Sequence, residues 1–150
     1  MENITVTAIE KRLYSPWQVT GTALLGGALA GLWLVADNFL VLGKPSKARK
    51  VRIAAIGIAL AILVFAIFGP ELRSNTVFAA LCAAFVRFYA ISSYGHAYEA
   101  HIGSGGPKRP QWQWVVAGLA GLGATMAIGM ALFFGLAAVA PDLLPDRFFE

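Results

Sequence analysis

The chain has one cysteine, two histidines and few charges of either sign, and each shortage removes a class of function. Cys82 has no partner, which excludes an intrachain disulfide framework and a cysteine metal site. There is no phosphate-binding glycine loop, nucleophile elbow or zinc-protease motif. Gly103–Gly106 follows no predicted strand and opens no phosphate-binding helix. With no enzyme signature, a non-enzymatic protein is expected, and no cofactor is implied. Charged residues make up 13% and hydrophobic residues 58% of 150 positions, a balance that a water-soluble domain could not cover with polar surface.

What is present falls into long apolar blocks with charge between them. Residues 19–42 are apolar except for Thr20, Thr22, Asp37 and Asn38, and further runs cover 53–69, 76–95 and 115–140. At about 1.5 Å per residue such helices suit the ~30 Å hydrocarbon core of a bilayer. The predicted fold is all-α, a polytopic membrane protein with four transmembrane helices in a small bundle and a single membrane domain over 1–150. The third run is the weakest, because it holds Arg87 and grows polar at Ser92, Ser93 and Tyr94. Lys11 and Arg12 before an apolar stretch, with Ala28-Leu29-Ala30 after them, resemble a secretory signal. The apolar run continues through Trp33 and Phe39 to Leu42, so a retained span is expected instead. Tyr14, Trp17, Trp112 and Trp114 suit interfacial belts.

Net charge is +4, but the basic residues cluster in a short loop, which points to topology and anionic lipid headgroups at 43–52 and away from nucleic acid. Lys44, Lys47, Arg49, Lys50, Arg52, Lys108 and Arg109 fall on one side of a four-span chain. Lys11, Arg12, Arg73 and Arg147 fall on the other. The positive-inside tendency then puts both termini outside, in the periplasm if the membrane is a bacterial inner membrane.

Small residues four apart mark helix contacts in lipid. Ala23, Gly27 and Gly31 line one side of the first span, and Ala117, Gly121, Thr125 and Gly129 one side of the last, so first-to-last packing is expected, with self-association as the competing use. Ionisable groups inside a membrane are costly and point to function. Asp37 and Arg87 have matched depths in this topology and could neutralise each other, giving a candidate polar cluster of Asp37, Asn38, Arg87 and Tyr89. The bland alternative is that both reach the headgroups separately. His96, Glu99 and His101 invite a metal reading, but on a helix His101 points about 140° from His96, and solvated residues are the better reading. Bis-histidine haem ligation is weaker, since neither histidine lies in an apolar run.

Tyr14-Ser15-Pro16-Trp17-Gln18, followed by Gly26-Gly27, Leu29-Ala30-Gly31, Asn38, Leu42-Gly43 and Ala48, resembles a group of small uncharacterised bacterial inner-membrane proteins. They carry a Tyr-Ser-Pro-x-Gln box before the first span and an Asn-x-x-x-Leu-Gly turn after it. The resemblance covers roughly residues 13–48 and implies a bacterial origin and no mechanism. The functional expectation is an inner-membrane protein acting by association, as an accessory subunit or an immunity or protective factor, with a membrane protein partner or a homo-oligomer. A small oligomeric transporter or channel built around Asp37 and Arg87 is the alternative. The empty second and fourth spans speak against it. A lipid-modifying enzyme would need the histidines and Glu99 to converge.

Overall fold

The computed structural model describes residues 12–68 and 75–140. They form α1 (Pro16–Val41), α2 (Pro45–Phe68), α3 (Asn75–Gly103) and α4 (Gln111–Val139), all long and apolar enough to span a membrane. The result is a small all-α bundle.

The helices overrun the predicted spans in ways their ends explain. Ser15 caps α1: its hydroxyl accepts from Gln18 N–H at 3.1 Å while the Gln18 side chain accepts from Ser15 N–H at 2.9 Å, and Pro16 follows at the first helical position. Gly43, at φ +71°, ends α1. Lys44 N–H donates to Phe39 O at 2.8 Å and Gly43 N–H to Leu40 O at 3.0 Å, a Schellman closure. Gly105 does the same for α3 at φ +82°, with Gly106 N–H on His101 O and Gly105 N–H on Ile102 O. Two expected loops therefore shrink. Pro45 begins α2, so the basic 43–52 segment, expected as a short loop, is mostly helical. The polar stretch from Ser92 rides on α3, which continues to Gly103.

The largest departure lies inside α1. Gly27 has φ +75° and ψ −179°, a conformation outside the helical region and close to exclusive to glycine. The helix folds back there. Ala23 and Gly31, which would be about 12 Å apart along a straight helix, sit so close that a Cβ on Gly31 would be 2.7 Å from the Ala23 Cβ. Tyr14 and Asn38, twenty-four positions apart, are hydrogen-bonded. Each arm of this hairpin rises only about 16–21 Å, short of a full crossing. The expectation that α1 runs from one face to the other is therefore corrected. Residues 12–15, Leu42–Lys44 and the Ser104–Pro110 connection all lie at one end of the bundle, which removes the basis for placing the two termini on one side.

The hairpin is the centre of the molecule. α1 packs against each of the other three helices, α2 touches α4 lightly, and no other pair brings its backbones together among the described residues. The fully buried Val19, Thr22, Val35, Ala36, Asn38 and Phe39 all belong to α1 and its core, while α2, α3 and α4 turn apolar faces outward. Phe65 and Phe78 stack between α2 and α3, their centroids 6.4 Å apart.

First-to-last packing is present but uses other residues than Ala23, Gly27 and Gly31. A Cβ on Gly26 would strike the Gly118 carbonyl, one on Gly121 the Ala30 methyl, and one on Gly21 would lie 2.7 Å from the Trp114 ring. The fold-back explains the change: Ala23 and Gly31 face each other and Val86 of α3, and Gly27 is the open tip. On α4, Ala117 and Gly121 pack toward α1, whereas Thr125 and Gly129 meet α2 near Leu63.

Nothing lies within 4 Å of a Cβ placed on Gly27, so Gly27→Ala changes backbone strain alone. It should lower stability by about 1–3 kcal/mol in a denaturing-detergent titration. An unchanged midpoint would mean that Gly27 does not hold a left-handed conformation.

Candidate functional site

Polar chemistry gathers at the closed end of the hairpin. Asn38, wholly buried, uses its amide like a peptide group: Tyr14 N–H donates to its Oδ1 and its Nδ2 donates to Tyr14 O, both at 2.9 Å. The Tyr94 hydroxyl is buried beside it without meeting hydrogen-bond geometry, and the Tyr94 ring meets Phe39 edge-on at 6.4 Å. Thr22 shares its hydroxyl proton between Gln18 O at 2.9 Å and Trp114 O at 3.1 Å, tying α1 to α4. Thr20 donates to Pro16 O at 2.8 Å.

The candidate cluster of Asp37, Asn38, Arg87 and Tyr89 does not assemble. Asp37 pairs with Arg52 at 2.8 Å, and the Arg52 guanidinium also lies 5.0 Å from the Trp33 ring centroid. Both partners are about a third exposed (35% and 33%), so the pair contributes at most about 1 kcal/mol. Arg87 instead places its cation 3.6 Å from the Trp17 ring centroid. Tyr89 lines a separate apolar groove with Leu32, Lys50, Ile58 and Phe85. The cause is local. Helical α2 brings Arg52 within reach of Asp37, and α3 presents Val86, Ala90 and Tyr94 to α1, which turns Arg87 toward the start of α1. The early start of α2 was readable from Pro45, a residue as much at home at a first helical position as at a stop.

The α3–α4 connection is stitched to the entry of α1. Leu13 and Lys108 form a bridge, Arg109 N–H donates to Leu13 O at 3.2 Å, Arg109 Nε to Arg12 O at 3.2 Å, and Gln18 Nε2 to Arg109 O at 3.0 Å. The Arg109 guanidinium lies 4.8 Å from the Tyr14 ring centroid. Burial pushes the Tyr14 hydroxyl above its ordinary range, with Arg109 pulling the other way, so it stays neutral at physiological pH.

Between this stitch and α3 lies a cleft of 730 Å³. Arg87, Lys108 and Arg109 line it against one carboxylate, Glu99, with Trp17 and Ile91 supplying apolar wall. Of the residues considered for metal, only Glu99 faces this cleft. His96 is exposed, and His101 turns to its own loop, with Nε2 3.3 Å from Pro107 O. Trp17, Gln18, Arg109 and Tyr94 were not singled out as site residues in the sequence, because the fold-back that unites them has no periodic signal. No family model, curated protein or solved structure matches the chain.

Asn38→Leu keeps the approximate size of the side chain and strands the Tyr14 N–H and carbonyl in a dry site. It should cost about 2–4 kcal/mol of stability. Unfolding followed by tryptophan fluorescence checks this. A loss below about 0.5 kcal/mol would remove Asn38 as the hairpin's clasp.

Proposed function

We propose that this chain is a non-enzymatic multi-pass protein of a bacterial inner membrane that acts by association, as an accessory subunit or a protective factor. α2, α3 and α4 cross the bilayer, and α1 enters and leaves on the basic face. Every described lysine and arginine except Arg87 then lies at that face, and no described Lys, Arg, Asp or Glu lies at the other. The positive-inside tendency places this face in the cytoplasm, and with it the entry to α1, while α4 leads outward.

One observation carries the associative reading. Gly123, Ala127, Ala131 and Gly135 follow one another at four-residue spacing on α4, all exposed, and a Cβ on Gly123 or Gly135 would meet nothing within 4 Å. This stripe is distinct from the Gly118 and Gly121 contacts spent on α1. Small-residue faces are where membrane helices approach each other's backbones, so an unfilled one suits a second transmembrane helix. The transporter alternative is weaker in this light, because Asp37 is spent on Arg52, Asn38 on Tyr14, and Arg87 points elsewhere.

Ala127→Leu fills the stripe without touching the bundle interior. Crosslinking in native membranes should trap a complex, with itself or with a partner, that this variant loses while accumulating to the same level. An equally efficient crosslink in Ala127→Leu, or none in the native chain, would overturn the reading.

A further inference from the structure

We infer that the cleft between α3 and the entry of α1 is a binding site for the phosphate-bearing headgroup of an anionic glycerophospholipid. Three cations meet there against one carboxylate, leaving a net positive lining. Arg87 is the unusual member. Its Nη1 is buried with no hydrogen-bond acceptor, although the cation rests on Trp17, so a charged donor inside the cleft is left without an anion. A charged donor held out of water without a partner is costly, and a phosphate oxygen relieves that cost.

The cleft's surroundings agree in sign. The first turns of α1 and α4, through Pro16, Trp17, Gln18 and Gln111, both line it. Helix starts carry partial positive charge, and α4 begins at Pro110 with no side-chain cap on its amides. The shape selects an amphiphile over a soluble anion. Arg87 lies about 18 Å below Glu99 along α3, within the membrane-spanning part of that helix. Trp17 and Ile91, which wall the cleft, are both exposed, so it is open along its side as well as at the basic end. A headgroup can enter from the lipid side with its phosphate among Arg87, Lys108 and Arg109 and its chains continuing into the bilayer. A free anion would have to abandon its hydration to reach Arg87. The basic first turns of α2 offer no comparable cluster: Lys50 is the one cation lining the apolar groove beside Tyr89.

Titrating the detergent-solubilised chain with short-chain phosphatidylglycerol or phosphatidylcholine, read by native mass spectrometry, tests this. One phosphatidylglycerol should bind per chain at least about tenfold more tightly than phosphatidylcholine. Arg87→Gln should weaken it about tenfold, and Lys47→Gln, which removes the same charge outside the cleft, less than about twofold. Should Arg87→Gln fail to fold, Lys108→Gln, at an exposed position, should weaken binding in the same direction. Millimolar inorganic phosphate should not compete. Equal losses in the Arg87 and Lys47 variants, equal affinity for the two lipids, or displacement by inorganic phosphate would each overturn the proposal.

Discussion

The two hydrogen bonds between the Asn38 side chain and the Tyr14 backbone are the constraint on which the rest of the structure depends. A chain that turns back within a membrane must leave no backbone group unpaired in the dry interior, where each such group costs several kcal/mol. At the end where the two arms of α1 come back together, Asn38 does this for Tyr14, the last residue before the Ser15 cap, pairing with it in the way one strand pairs with another. Gly27 makes the reversal possible and Asn38 holds it closed. Both arms of α1 then lie side by side, and one apolar segment supplies two core elements around which α2, α3 and α4 are arranged.

The residues of the Tyr14–Gln18 segment and of the glycine and asparagine positions that follow it acquire a physical meaning from this arrangement. Ser15 and Gln18 form the capping box, Gly26 admits the Gly118 carbonyl, Gly27 turns the chain, Asn38 clasps it, and Gly43 ends it. Most of this stretch is thus a device for building a closed hairpin inside a bilayer. Function is more credibly sought on the surfaces the hairpin organises, the cleft at its entry and the outer face of α4.

The four apolar helices and the all-α class were legible because lipid demands long apolar runs and the runs are uninterrupted. The reversal in α1 was not. Its length and composition are those of a span, and the residues that encode it, Gly26, Gly27 and Asn38, each have an ordinary reading as a packing glycine or an interfacial amide. Taking Ala23, Gly27 and Gly31 as one stripe assumed a straight helix, and the same assumption matched the depths of Asp37 and Arg87. Once α1 folds, Ala23 and Gly31 become each other's neighbours, and Asp37 sits next to Arg52 at the start of α2. The cleft was illegible for the same reason, since it joins residues 15–18, 87–99 and 108–111 only after the entry to α1 and the α3–α4 connection are brought to one end.

The most direct test of the doubled-back α1 is the sidedness of its two ends in a native membrane. With Cys82 replaced by serine, single cysteines at Arg12 and at Lys47 would be exposed to an impermeant maleimide in intact spheroplasts and in inverted vesicles. A hairpin predicts that both positions react in the same preparation, the inverted vesicles, and that neither reacts in the other. Labelling of Arg12→Cys in spheroplasts and of Lys47→Cys in inverted vesicles would show that α1 crosses the bilayer, and would contradict the closure by Asn38 and Tyr14.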